Sequence, residues 1–81
     1  MQILTIEEKM LISSRIKEIR QEKKLTLQQF GALMGVTKAT VSRYESGDVE
    51  NIPLPRVKLL SQALRVSPAW IIGLSDIKYL D

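Results

Sequence analysis

The sequence contains no cysteine and no histidine among its 81 residues. Without cysteine the chain can form neither a disulfide nor a thiolate metal site, and without histidine it lacks the commonest metal ligand and general base. We therefore expect no metal, no cofactor and no catalytic residues. Both absences are compatible with a reducing cytoplasm, which is the expected location.

Long apolar runs are also missing, since the longest are only a few residues. We expect no membrane-spanning helix. The first apolar segment, from Leu4 to Ile12, is interrupted by Glu7, Glu8 and Lys9, so we expect no signal peptide there.

The excess of basic over acidic side chains is also small, because 12 basic and 9 acidic side chains leave a formal net charge of +3. This excess favours nucleic acid as a partner only weakly. The length predicts one small domain over residues 1–81, with a stability of about 4–12 kcal/mol and too little chain for an additional catalytic domain.

The most informative stretch is LQQFGALMGVTKATVSRYE, residues 27–45. Leu27, Phe30 and Met34 have the spacing of one helical face, and Thr26 precedes them as an N-cap. Gly35 predicts a sharp helix stop in the left-handed conformation. Thr37 then predicts the start of a second helix, over residues 38–45, with Val41 and Tyr44 facing inward. Gly31, within the first helix, is expected where the second helix crosses closely. Two short helices around a glycine turn predict a helix-turn-helix, whose second helix is suited to a DNA major groove.

The same residues resemble a known family. Residues 25–47, LTLQQFGALMGVTKATVSRYESG, are similar to the pattern LTxxxLAxxxGVSxxxISxxExG of the phage repressor and Cro family, also called lambda-repressor-like or Xre-type. The resemblance extends from about Ser13 to Gly73 and rests on Phe30, Gly31, Gly35, Val36, Val41, Tyr44, Glu45 and Gly47. It implies an all-α fold of five helices, with the helix-turn-helix at helices 2 and 3.

Further helices are predicted on either side of the motif. Helix 1 is expected over residues 6–23, because Thr5 and Glu8 fit a capping box. Ser13 and Ser14 offer an alternative start, which would leave residues 1–12 as a looser N-terminal arm rather than an extension of helix 1. Helix 4 is expected over residues 54–64, and its Arg56 is expected to face water or DNA. Start and stop signals predict a fifth helix, with Ser67 as N-cap, Pro68 in the first turn and Gly73 as the stop. A C-terminal tail is expected over residues 74–81.

DNA contacts are assigned by position in the motif. The expected base-reading residues lie near the start of the recognition helix, and Lys38 and Arg43 can donate to guanine. Phosphate contacts are expected at the start of helix 2 and, less strongly, on helix 1 and in the loop of residues 48–51. The base-reading set is Thr37, Lys38, Ala39, Ser42 and Arg43; the phosphate set is Thr26, Gln28, Thr40, Arg15 and Lys17.

Two structural sites complete the expectations. The resemblance implies an ion pair between Arg20 and Glu45 that joins helix 1 to the end of helix 3, although both could simply face water. Trp70, Ile71 and Ile72 cannot all point into one core, so we expect some of them inward and at least one at a dimer contact.

The preferred hypothesis is a sequence-specific regulator of transcription, a repressor of phage, prophage or bacterial origin that binds a near-palindromic double-stranded DNA operator as a homodimer. No small-molecule ligand is expected. Alternatives of the same fold are an antitoxin subunit or a restriction–modification controller. A rival from another class is a protein-interaction module that would bind its partner through Met10, Leu11 and residues 70–72.

Overall fold

The computed structural model describes residues 4–50 and 52–80, and these form five α-helices. The helices are α1 Ile6–Glu22, α2 Leu27–Met34, α3 Lys38–Glu45, α4 Leu54–Leu64 and α5 Pro68–Ile71. Within the described residues the only strand-like pairing is an isolated antiparallel bridge between Val66 and Tyr79. The predicted all-α fold with five helices is confirmed.

Helix α1 begins where its capping box predicts. The Glu8 amide donates to the Thr5 hydroxyl at 3.1 Å, and the Thr5 amide donates to the Glu8 carboxylate at 2.7 Å. The alternative start at Ser13 is wrong, because residues 6–12 are helical. The part of the predicted N-terminal arm that falls on residues 1–3 lies outside the described residues.

All five helices contribute side chains to one buried core. Ile12, Ile16 and Ile19 form the buried stripe of α1 that their spacing predicts. One buried cluster contains these three residues together with Phe30, Met34, Val41, Tyr44, Val49, Val57, Leu60, Val66, Trp70 and Ile71. Because α2 and α3 each contribute inward apolar residues to this cluster, the cluster fixes both helices of the helix-turn-helix to the rest of the domain.

Residues 74–80 are not a free tail. The chain returns along α1: the Ser67 amide donates to the Lys78 carbonyl at 2.8 Å, and Lys78 forms ion pairs with Glu18 at 2.7 Å and with Glu22 at 2.9 Å. The Tyr79 hydroxyl donates to Glu22 at 2.7 Å. We call these contacts of Lys78 and Tyr79 with Glu18 and Glu22 the C-terminal clasp.

The clasp changes the acidity of its members. Partial burial disfavours the charged ammonium of Lys78, but hydrogen bonds to Glu18 and Glu22 outweigh it and raise the pKa of Lys78 to about 12. Hydrogen bonds from Lys78 and Tyr79 lower the pKa of Glu22, and the bond to Glu22 raises the pKa of Tyr79. All three shifts favour the protonation states that hold the clasp closed near neutral pH.

Candidate nucleic-acid interface

The turn between α2 and α3 depends on two glycines. Gly35 has φ +75°, a left-handed conformation that glycine adopts with little strain. A Cβ at Gly31 would lie 2.6 Å from the carbonyl oxygen of Val36, far inside van der Waals contact. The expected close approach at Gly31 is therefore present, but the nearest atoms belong to the turn and to Thr37 rather than to α3 itself.

Both helices of the motif are capped by a threonine. At α2 the Gln29 amide donates to the Thr26 hydroxyl at 3.0 Å, and the Gln29 side chain accepts from the Thr26 amide at 2.9 Å. At α3 the Thr40 amide donates to the Thr37 hydroxyl at 3.2 Å. The first amides of each helix, before these capped positions, have no carbonyl partner within their own helix and can receive an anion.

One face of α3 is directed to solvent. Val41 and Tyr44 are buried beneath the helix, whereas the predicted base-reading residues Thr37, Lys38, Ala39, Ser42 and Arg43 are all exposed. Among the described residues, neither the Lys38 nor the Arg43 side chain forms a hydrogen bond or an ion pair. Both cations are thus available to an external partner.

A shallow depression joins the start of α2 to the start of α3. Gln28 and Ala32 of α2 line it together with Val36, Thr37 and Lys38. The structure therefore brings the predicted phosphate residue Gln28 beside two of the predicted base-reading residues. Thr40 is half-buried, and its hydroxyl lies 3.1 Å from that of Thr37.

The expected ion pair between Arg20 and Glu45 is formed. Arg20 donates through Nε at 2.5 Å and through Nη2 at 3.1 Å to the two oxygens of Glu45, and through Nη1 to the Leu25 carbonyl at 3.0 Å. The exposed fractions of the two side chains are 17% and 10%. The hydrogen bond to Glu45 raises the pKa of Arg20 against the opposing effect of burial. This bidentate contact fixes the end of α3 to α1.

Arg15 has a different role from the one predicted. Its guanidinium donates to the carbonyls of Trp70 at 2.5 Å and Ser75 at 2.9 Å, pairs with Asp76 at 3.3 Å and lies 4.9 Å from the centre of the Trp70 ring. Only 12% of the Arg15 side chain is exposed, and its guanidinium binds the C-terminal segment. These internal contacts argue against the predicted phosphate contact of Arg15. Lys17 is exposed, and its phosphate contact stays a prediction.

The loop after α3 uses part of its backbone internally. The Asp48 amide donates to the Arg43 carbonyl at 3.0 Å, and the Val49 amide donates to the Gly47 carbonyl at 3.0 Å. These amides are therefore not free for phosphate. The loop contact predicted at Asn51 lies outside the described residues.

Two of the three predicted dimer residues belong to the core. Trp70 and Ile71 are 5% and 1% exposed, and both are in the main buried cluster. Their burial fits the expectation that some of the three residues point inward. Because a side chain enclosed by its own domain cannot meet a second copy, neither Trp70 nor Ile71 forms the dimer contact for which it was a candidate. Ile72 is half-buried at the edge of the same cluster, so its contact stays a prediction.

Arg56 was expected to face water or DNA, but it is half-buried against the turn. Its Nη1 donates to the Met34 carbonyl, the last of α2, at 3.3 Å. A Cβ at Gly35 would collide with the same guanidinium nitrogen. One sequence signal hints at such a role: a cation in the first turn of its own helix opposes the macrodipole and gains from a partner elsewhere.

Residues 4–50 and 52–80 contain neither a cluster of metal ligands nor a membrane-spanning helix. No group of three or more acidic side chains there could hold a metal ion. In the same part of the chain, no helix is both long enough and apolar enough to cross a membrane.

Comparison with known proteins agrees with this geometry. A family model described as helix-turn-helix matches residues 16–71. An uncharacterized HTH-type transcriptional regulator of Bacillus subtilis (strain 168), YobD, is 31% identical over 62 residues, which cover 76% of this chain. The chain spans about half of that relative, since the match covers 54% of its length.

Two solved structures have a similar fold. The P22 c2 repressor, in complex with a synthetic operator, superposes with a TM-score of 0.70 at 26% identity, over 80% of this chain and 97% of the repressor chain. Hydroxypropylphosphonic acid epoxidase from S. wedmorenis gives a TM-score of 0.74 at 21% identity, over 83% of this chain but only 35% of the epoxidase, so this likeness concerns the fold alone. The chain belongs to the helix-turn-helix family and has its five-helix, lambda-repressor-like fold.

Proposed function

We propose that this chain is a sequence-specific DNA-binding regulator of transcription, with no catalytic activity of its own, acting in the cytoplasm. The observation that carries the proposal is the exposed face of α3. Lys38 and Arg43 stand on that face without a partner among the described residues, while Val41 and Tyr44 anchor the opposite face in the core. This division between an anchored face and an unpaired cationic face suits insertion into a major groove.

Affinity and specificity come from different groups. Phosphate oxygens would meet Gln28, Lys17 and the open amides at the starts of α2 and α3, which supplies affinity and salt sensitivity. Base edges would meet Lys38 and Arg43, together with Ser42 and the small side chain of Ala39. A good bidentate contact to guanine discriminates against a wrong base by about 1–3 kcal/mol.

The proposal includes a homodimer on a near-palindromic operator. Ile72, at the end of α5, is the remaining candidate for the dimer contact, and the exposed Leu74 follows it closely in sequence. A two-fold pair would place the two copies of α3 about 34 Å apart, one turn of B-DNA. Occupying an operator that overlaps a promoter would then block polymerase sterically, as in a phage-type repressor.

A protein-interaction module is the second candidate, because Ile6 and Met10 are 74% and 63% exposed on α1. Titration of random duplex at two salt concentrations separates the two functions. A DNA-binding protein should lose affinity steeply with salt, with a slope of about −0.9 per phosphate contact in a log–log plot. Little binding and no slope would favour the interaction module.

Selection of duplexes from a random pool tests specificity. We expect a two-fold symmetric consensus whose half-sites lie about one helical turn apart. An asymmetric consensus would remove the dimer from the proposal, and recovery of no enriched sequence would remove sequence-specific reading.

A further inference from the structure

Helix α2 ends without a cation of its own. It has no basic residue in its last turn, although its carbonyl end carries partial negative charge. The turn amides satisfy two of its final carbonyls: the Gly35 amide donates to Ala32 at 3.3 Å, and the Val36 amide donates to Gly31 at 2.9 Å. The Met34 carbonyl lies beyond their reach and receives Arg56 instead.

Arg56 reaches this position from α4. It is the third residue of that helix, which has neither a side-chain cap nor an acidic residue in its first turn. A cation there is unfavourable for α4 and favourable for the end of α2. The guanidinium lies over Gly35, where the absence of a Cβ leaves room for it. Gly35 is thus required for its conformation and for the space it gives Arg56.

We propose that Arg56 is a positioning residue for DNA recognition, which fixes the turn between α2 and α3 and thereby the direction in which α3 leaves it. Only Val36 and Thr37 separate this contact from the first residue of α3. A turn held from α4 presents Lys38 and Arg43 in one orientation, so less conformational freedom is lost when α3 meets a base edge. The inference rests on the proposed function, because its consequence is read in DNA affinity.

The experiment compares wild type with Arg56→Met, Arg56→Lys and Lys58→Met. Lys58 is exposed on the same helix, so Lys58→Met removes one positive charge without touching the turn. The probe is the duplex recovered from the random pool, titrated at several salt concentrations and at a temperature where circular dichroism shows each variant folded. If Arg56→Met does not fold, Arg56→Lys decides, because lysine keeps the charge but lacks the guanidinium fork.

We expect Arg56→Met to weaken binding about fivefold, Arg56→Lys less, and Lys58→Met less than about twofold. The salt slope of Arg56→Met should equal that of wild type, since Arg56 bonds a carbonyl and not a phosphate. A slope reduced by about one would show that Arg56 is a direct phosphate ligand and would overturn the inference. Equal losses for Arg56→Met and Lys58→Met would overturn it as well, because the effect would then be one of charge alone.

A measurement without DNA separates this inference from the proposed function. Hydrogen exchange at the Val36 amide, which closes the turn onto Gly31, should be faster in Arg56→Met than in Lys58→Met. Unchanged exchange would contradict the positioning role even if DNA binding were established. Failure of the wild-type protein to bind any duplex would instead remove the proposed function and leave the exchange result to decide whether Arg56 holds the turn.

Discussion

Removing the carboxylate of Glu45 should destabilise the domain strongly. Its partner Arg20 is only 17% exposed, so Glu45→Ala leaves a largely enclosed cation without its counter-charge. The usual cost of breaking a buried pair in this way is about 3–5 kcal/mol. We expect the lower end, about 3 kcal/mol, because Arg20 keeps its hydrogen bond to the Leu25 carbonyl and some contact with water.

Urea unfolding followed by circular dichroism measures this loss. Against a total stability of about 4–12 kcal/mol, a loss of 3 kcal/mol should lower the midpoint without changing the slope, and should lower Tm by about 12–24 °C. The double variant Arg20→Met with Glu45→Leu should lose less than Glu45→Ala, because apolar side chains leave no unpaired charge.

The matched control is the ion pair between Glu50 and Lys9, which lies on α1 as Arg20 does. Its side chains are 26% and 51% exposed, so Glu50→Ala should cost only about 0–1 kcal/mol. If Glu45→Ala costs no more than Glu50→Ala, the Arg20–Glu45 pair behaves as a surface pair and the reasoning from burial is refuted.

Three further predictions concern stability. Gly31→Ala should destabilise by about 1–3 kcal/mol in urea, despite the better helix propensity of alanine, because its Cβ would collide with the turn; a gain would show that the turn can move away. Lys24→Gly should stabilise by about 1 kcal/mol, since Lys24 has φ +57°, and no gain would mean that its side chain contributes contacts that offset this strain. In acid, protonation of Glu22 should weaken the C-terminal clasp. Because folding lowers the pKa of Glu22 below its ordinary value of 4.5, the clasp stabilises the fold fully above pH 4.5, and this stabilisation is lost as the pH falls through the pKa of Glu22 in the folded protein. The stability of Lys78→Met should therefore fall less steeply with acid than that of wild type, as measured by unfolding monitored through Trp70 fluorescence. Equal slopes of stability against pH would contradict the coupling between Lys78 and Glu22.

The local structure of the motif could be predicted because its signals are local. Thr26, Thr37 and Gly35 mark helix ends through hydrogen bonds and backbone conformations that span only a few residues. The capping role of Gln29 was missed, although the spacing Thr-x-x-Gln from Thr26 predicts it. The Arg20–Glu45 pair, which joins residues 25 apart, was expected only from the family resemblance.

The contacts that were missed are long-range and made by side chains. Arg15 meets Trp70 and Ser75 across 55 and 60 residues of chain, and Arg56 meets Met34 across 22. A cation on a helix face looks the same in sequence whether a carbonyl, a carboxylate or water receives it. Only the packing of the C-terminal segment on α1 and of α4 on α2 decides which partner is near.

The most direct test of the central claim is the Arg43→Ala variant, assayed on two probes: the selected duplex and a random duplex of equal length. Arg43 is exposed on α3, and within the described residues its side chain forms no hydrogen bond or ion pair, so its removal should leave urea stability nearly unchanged. We expect affinity for the selected duplex to fall by about 1–3 kcal/mol, with a much smaller fall on random DNA. Equal losses on the two probes would show that Arg43 does not read bases and would contradict α3 as the recognition helix.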